Sequence, residues 1–346
     1  MLLEVLSKFG YLLLSKFGYF AKELGAARMI RASGLQKTYR DRSRSSRQSQ
    51  VVAVDGVSFD VAAGEIVGLL GPNGAGKTTT MQMLTTLTRP TSGRAQVAGY
   101  DLATQPEQVR GAIGYVSQRG SAGGDSRVGE ELVDYGMLHG LSHADALAGA
   151  RMLAARYQLD DLWARETGSL SGGQRRRLDI AMSLVHAPRL VFLDEPTVGL
   201  DPAARANLWT HVRELRDTSG MTVLLSTHYL DEADALCDRL LVISSGRLIS
   251  DGPPAQIKRM MGPDTLIVTA ASEAQLPDLL AVLTEATGET PDASGLEVSV
   301  RFAGGTGALA AVLARVDAAS LTATGVELRP PSLDEAFLTL TAEDAA

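Results

Sequence analysis

Residues 71–78 read Gly-Pro-Asn-Gly-Ala-Gly-Lys-Thr, a full match to the spacing G-x-x-x-x-G-K-[ST]. The apolar run Ile66-Val67-Gly68-Leu69-Leu70 stands before it and suits a buried strand, and a helical stretch begins behind it. Strand, Gly-rich turn and helix in that order are the context the pattern requires. The turn made by Gly71, Pro72, Asn73, Gly74, Ala75 and Gly76 is expected to cradle a polyphosphate. Backbone N–H groups in such a turn point inward, and the helix N-terminus adds partial positive charge. Lys77 can reach the β- and γ-phosphates and the Thr78 hydroxyl can ligate Mg²⁺. Thr79 follows at the helix start and belongs to the same binding surface.

Residues 190–195 read Leu-Val-Phe-Leu-Asp-Glu. Four apolar residues make a second buried strand, with two acids at its C-terminal end. In open α/β sheets that edge is where ligands bind. Asp194 is placed to hold the metal through water, and Glu195 to orient or deprotonate an attacking water. Alone, the pair would pass for a solvated turn. Beside a phosphate loop, two adjacent carboxylates call for a cation between them.

Residues 170–175 read Leu-Ser-Gly-Gly-Gln-Arg and lead into another helical stretch. This is a second Gly-rich turn at a helix start, formed by Ser171, Gly172, Gly173 and Gln174. One nucleotide does not usually need two such turns, so the second makes sense if it completes the site of another copy of the chain. Leu-Ser-Gly-Gly-Gln, lying shortly before the Asp-Glu strand, resembles the signature of ATP-binding-cassette (ABC) ATPases. Other elements of that family follow in order. Gln118 of Tyr115-Val116-Ser117-Gln118 matches the glutamine that joins the catalytic core to a helical subdomain and reaches the metal. Gly199-Leu200-Asp201 matches the loop that crosses the dimer interface, with Val198 where many members carry a small polar residue. His228 of Ser226-Thr227-His228 matches the switch histidine that contacts the γ-phosphate. Tyr39 stands where the family has an aromatic that stacks on adenine. The resemblance covers residues 29–260.

The 346 residues suggest two domains on length alone, and the 45% hydrophobic content supports a packed core. A net charge of −7 gives no support to general nucleic-acid binding. The single cysteine, Cys237, precludes an internal disulfide, fits a reducing cytoplasm and reads as a core thiol. No run of about 18 apolar residues occurs, so no membrane span is expected. The start of the chain lacks the pattern of a secretory signal. If this ATPase drives transport, the membrane part is expected in another chain.

Residues 1–28 fall outside the resemblance. Leu6-Ser7-Lys8-Phe9-Gly10-Tyr11 recurs as Leu14-Ser15-Lys16-Phe17-Gly18-Tyr19, and apolar residues at spacings of three and four make one stripe if this segment is helical. Arg40 to Gln50 is basic and Ser-rich and reads as a loop inserted in a hairpin. Residues 29–262 are expected to form the ATPase domain, with a helical subdomain over about 119–185 and a loop over Gly120–Gly129. Residues 264–346 read as a separate small α+β domain. In it, Leu266–Ala270 and Leu296–Phe302 are strand-like, and Ala274–Thr287 and Gly307–Val316 have helical spacing. The ending Leu333–Leu338, Leu-Asp-Glu-Ala-Phe-Leu, resembles the C-terminal extension of the daunorubicin/doxorubicin-resistance subgroup of drug exporters. Asp334 and Glu335 suit a helix N-terminus.

The expected fold is therefore α/β: a P-loop ABC ATPase core with a mixed sheet and an inserted helical subdomain, plus the small α+β domain. The resemblance implies an ATP- and Mg²⁺-dependent ATPase subunit of a bacterial exporter, with a separately encoded permease, at the cytoplasmic face of the membrane. Two copies would bind two ATP molecules between them. Each site would take Lys77, Thr78, Gln118, Asp194, Glu195 and His228 from one chain, and Ser171 to Gly173 from the other. The alternative is a soluble ABC ATPase acting on ribosomes or DNA. Translation-type members usually carry two cassettes in one chain, and DNA-repair types a long coiled coil between the phosphate motifs. This chain has one cassette, and nothing between Gly76 and Ser171 has sustained heptads.

Overall fold

The computed structural model describes residues 28–40, 50–120, 122–260, 263–304, 306–334 and 337. The chain forms two compact units that divide between Pro253 and Pro254. The N-terminal repeat, most of the basic Ser-rich tract and part of the Leu333–Leu338 pattern lie outside the described residues.

The first unit holds two sheets. Strands β1 (Arg28–Arg40) and β2 (Gln50–Ala62) pair antiparallel, with Thr38 opposite Val52 and Tyr39 opposite Val51. The next strand, β3 (Ile66–Leu70), enters the other sheet. Then β4 (Ser92–Val97) pairs with the free side of β1, and β5 (Tyr100–Asp101) extends β4. The first sheet thus runs β2-β1-β4-β5.

All five residues of β3 are buried, as a strand covered on both faces must be; that is why it reads as a continuous apolar run. Its sheet also takes in β6 (Ile113–Val116), β7 (Leu190–Asp194), β8 (Thr222–Thr227), β9 (Arg239–Ser244) and β10 (Arg247–Gly252). The order is β10-β9-β3-β8-β7-β6. From β9 to β6 every pairing is parallel, and β10 folds back antiparallel on β9. The mixed sheet expected from the sequence is present.

Helix α1 (Lys77–Leu84) leaves the phosphate loop directly, and α2 (Pro106–Ala112) precedes β6. Between β6 and β7 the described chain is helical: α3 (Val128–Leu138), α4 (His143–Arg156), two 3₁₀ turns and α5 (Gly172–Leu184). α4 starts where the Ser142 hydroxyl accepts a hydrogen bond from the Asp145 N–H at 3.1 Å. The Gly120–Gly129 stretch reads as loop, yet α3 begins inside it. Position 129 must be glycine, because a Cβ there would lie 2.2 Å from the Trp163 ring. Two helices complete the unit, α6 (Pro202–Ser219) and α7 (Leu230–Leu236). The main core joins Val67, Leu69, Met81, Phe192, Leu224 and Leu241 with the inner face of the antiparallel sheet. Each such side chain contributes about 1.5–3 kcal/mol by leaving water.

The second unit consists of α8 (Pro254–Arg259), β11 (Asp264–Ala270), α9 (Leu276–Thr287), β12 (Asp292–Ser294), β13 (Glu297–Phe302), α10 (Thr306–Ala318) and β14 (Ala323–Arg329). Its antiparallel sheet runs β12-β13-β11-β14. Leu266, Val268, Val298 and Val300 pack with Leu283 and Val312. The central strands were legible in the sequence, but the edges were not. β12 is three exposed residues, and β14 is largely exposed and interrupted by Gly325, so neither carries an apolar signal.

Candidate active site

Four parallel strands end together at one edge of the larger sheet. β3 runs into the phosphate loop, β6 into Gln118, β7 into Asp194-Glu195 and β8 into His228. A cleft of about 440 Å³ at this edge is lined by Asn73, Gly74, Gly76, Lys77, Thr78, Thr79, Gln118, Glu195 and His228, joined by Ala53 and Val198. Residues spread over 155 positions of sequence (His228 less Asn73) thus converge, because parallel strands deliver their C-terminal ends to one side.

Gly76 caps α1 with φ +105°, and a Cβ there would lie 2.5 Å from the Ala53 carbonyl oxygen. Only glycine permits this tight entry. The first turn of α1 has no acidic residue and its cap has no side-chain acceptor, so its N–H groups and partial positive charge remain available to an anion. Lys77 is 4% exposed. Its ammonium donates to the carbonyls of Gly71 at 2.8 Å and Pro72 at 3.1 Å, and stands 3.8 Å from Glu195 Oε1. Burial lowers its pKa, opposed by the negative charges of Glu195 and Asp194. The loop therefore holds a cation at the point where phosphates would enter.

Asp194 Oδ1 accepts from Thr78 Oγ1 at 3.1 Å and from Ser226 Oγ at 2.6 Å. Burial pushes the Tyr115 hydroxyl up to about 12, with the Asp194 charge adding to the shift. A hydroxyl and a carboxylate so close are hard oxygen donors that suit Mg²⁺. Among the described residues no group of three or more His, Cys, Asp or Glu can hold a metal alone. A Mg²⁺ here would complete its shell with phosphate oxygens and water, its usual habit.

Glu195 is 8% exposed and has φ +44°. That left-handed conformation costs a non-glycine residue roughly 1–2 kcal/mol, and such strain clusters at functional sites. Its N–H donates to Ser226 Oγ at 2.9 Å. Its Oε2 accepts from Gln118 Nε2 at 2.6 Å, and its Oε1 lies 3.3 Å from His228 Nδ1. A carboxylate held at both oxygens, beside the phosphate loop, is positioned to orient a water and take its proton.

The remaining predicted residues lie elsewhere. Ser171, Gly172, Gly173 and Gln174 line a separate cleft of about 380 Å³ with Gly199, Leu200 and Asp201. Ser171 Oγ accepts from the Gln174 N–H at 3.3 Å and Gln174 Oε1 from the Ser171 N–H at 3.0 Å, a reciprocal cap. Asp201 caps α6 by accepting from the Ala204 N–H at 2.9 Å. Tyr39 is not among the residues lining either cleft. It is 40% exposed on β1, with the Lys37 ammonium 5.1 Å from its ring centre.

Sequence reasoning passed over Ser226, Arg176 and Glu232. Ser226 bridges the two acids, accepting from Glu195 and donating to Asp194. Glu232 is fully buried and accepts from Trp209 Nε1 at 3.3 Å; burial raises its pKa. Arg176 sits in the run Arg175-Arg176-Arg177. The one available signal was helical phase, since Arg176 shares its face with the buried Asp179, Ile180 and Ser183.

The phosphate loop, the Asp-Glu pair and the shared sheet edge define a P-loop nucleoside triphosphatase. Residues 54–198 match the family model described as ABC transporter. The chain is 40% identical over 315 residues to the daunorubicin resistance ATP-binding protein DrrA3 of Streptomyces coeruleorubidus, covering 91% of this chain and 96% of that one. It is 41% identical over 253 residues to the Nod factor export ATP-binding protein I of Burkholderia lata, covering 72% and 83%. It also resembles the solved structure of cbiO1 from Clostridium perfringens, described as part of the ABC transporter complex cbiONQ. That match has 25% identity and a TM-score of 0.58, over 68% of this chain and 93% of that one. The chain belongs to the ATP-binding subunits of the ABC transporter family, and it is an ATPase.

Proposed function

We propose that this chain powers export of a drug or lipid-like amphiphile through a separate permease, seated on the cytoplasmic face of the membrane by that partner. Its similarity to a daunorubicin resistance protein runs through nearly the whole of both chains, second unit included. A relative named for Nod factor export, an unrelated cargo, matches over 72% of this chain. We read the cassette as general and the cargo as chosen by the permease. No helix among the described residues is long and apolar enough to cross a membrane.

The observation that carries the mechanism is the separation of two clefts in one chain. Two copies, each offering its Ser171–Gly173 turn to the other's phosphate loop, would make two complete sites. Thr78, Asp194 and Gln118 would hold Mg²⁺, which supplies charge neutralisation on the β- and γ-phosphates. Lys77 binds the same phosphates, Glu195 takes the proton from the attacking water, and His228 orients the γ-phosphate. Phosphoryl transfer demands mostly positioning and charge neutralisation, which this set provides. Closure on ATP and opening after hydrolysis would drive the permease.

A ribosome- or DNA-directed ATPase is the competing reading, and the net charge of −7 opposes it. Purification of the full chain with its membrane partner, followed by ATPase assays in proteoliposomes with daunorubicin, tests the choice. Turnover stimulated by the drug is expected. A chain that co-purifies with ribosomes or DNA, and is stimulated by them alone, would reverse the choice.

A further inference from the structure

Three arginines follow the second Gly-rich turn, and their destinations differ. Arg175 donates to the Thr167 carbonyl and Arg177 to the Gln158 side chain, both in the stretch between α4 and α5. Arg176 turns inward and is 7% exposed. Its guanidinium donates to three backbone carbonyls: Nε to Pro196 at 2.8 Å, Nη1 to Ser117 at 2.7 Å and Nη2 to Asp194 at 3.0 Å. Asp194 and Pro196 flank Glu195, and Ser117 precedes Gln118. One rigid fork thus clamps the peptide that enters Glu195, the peptide that leaves Pro196 just beyond it, and the peptide that launches Gln118. The two side chains so presented meet at 2.6 Å. Glu195 is one of the non-glycine residues whose backbone is held left-handed, a conformation that surrounding contacts must enforce. Asp179, Asp194 and Glu232, all buried, surround the guanidinium with negative charge that offsets its desolvation.

We propose that Arg176 is a positioning residue for ATP hydrolysis, holding Glu195 and Gln118 in register without touching the nucleotide. The proposal rests on Glu195 being the general base. It gives α5 a second task, because the helix that carries the Ser171–Gly173 turn at its start also braces the catalytic carboxylate of its own chain one turn later.

The test uses Arg176→Gln and Arg176→Lys in the full chain, assayed for Mg-ATP turnover and for binding of a non-hydrolysable ATP analogue. Lysine keeps the charge among the three carboxylates but cannot bridge three carbonyls, so Arg176→Lys is expected to fold with near-normal melting temperature. Its kcat should fall about 10- to 100-fold, as a small misplacement of a catalytic group does. Analogue affinity should stay within about threefold of wild type, because the phosphate loop is untouched. Single-turnover rates of Glu195→Gln with and without Arg176→Lys should be equal, since the arginine acts through that carboxylate. Normal kcat in Arg176→Lys, affinity lost in step with kcat, or an additive loss in the double variant would each overturn the proposal. Full turnover by Glu195→Gln alone would instead remove the base assignment, a different failure and separately visible.

Discussion

The two Gly-rich turns of this chain look alike in sequence and differ in every physical respect. The first is sunk at the edge of the central sheet. Its helix has a left-handed glycine cap, no side-chain cap and a buried lysine at its first position. The second lies at the surface, and Ser171 and Gln174 satisfy each other's backbone across the turn. The first turn leaves donors pointed into a cleft that also holds Gln118, Glu195 and His228. The second opens on a cleft with none of these. The first turn faces the groups proposed for catalysis, whereas the second, self-capped at the surface, is the one proposed to complete a site on another copy.

The contrast is broken most strongly at Glu195. Glu195→Gln keeps shape and the contact to Gln118 but cannot accept a proton. Turnover should fall by about 10²–10⁴, the usual contribution of a general base, while ATP affinity holds and an ATP-bound dimer accumulates. Steady-state ATPase rates, nucleotide titration and sizing check this; normal turnover removes Glu195 from the role. Lys77→Ala strikes the first turn itself. It deletes a charge-assisted contact to phosphate worth about 1.5–3 kcal/mol, so nucleotide affinity should fall roughly 10- to 100-fold, as read by calorimetric titration.

The second turn calls for a different experiment, because its lesion should act on the other chain's site. Ser171→Arg places bulk and charge where the turn faces out, leaving nucleotide binding at Lys77 intact. Mixing Lys77→Ala with Ser171→Arg chains gives heterodimers with one doubly damaged and one undamaged site. Activity above either variant alone is expected from the mixture. Simple averaging of the two activities contradicts shared sites and would reduce the second turn to a helix cap.

What the sequence made legible follows the same division. The first turn, the Asp-Glu pair and His228 were readable because each is a contiguous pattern at the end of an apolar strand, and the second turn because it is a contiguous Gly-rich pattern at a helix start. β3 and β7 are buried at every position, so their apolar runs were unambiguous. Arg176 was hidden because three arginines in a row differ only in helical phase, and phase matters only once the partner surface is known. Ser226 was hidden because a serine inside a buried strand carries no local signature of bridging two acids. Tyr39 rested on its place in the order alone; it is exposed on β1 beside Lys37, and an exposed ring is free to meet a base.

The smallest effect concerns the far end of the helix that carries the second turn. His186 lies just past α5, with Nε2 2.9 Å from the Ile113 carbonyl and its ring stacked on His139 at 3.7 Å. Burial, with a further push from His139, lowers its pKa to about 4 from an ordinary 6.5. In the unfolded chain the imidazole protonates as pH falls through 6.5, while in the folded chain it stays neutral until about 4. The unfolded state therefore binds more protons across that window, and stability falls as pH falls through it. The full span corresponds to roughly 3 kcal/mol, of which about half is lost by the time pH has fallen from neutral to about 5.3. Thermal unfolding at pH 7 and pH 5 should show a lower melting temperature in acid. His186→Gln should lose much of that difference, because an amide cannot titrate. Hydrogen exchange sharpens the comparison: acid should loosen α5 and the Ile113 strand before it loosens α1. Equal loosening at both turns would mean that the acid sensitivity belongs to the whole unit and not to the stacked histidines.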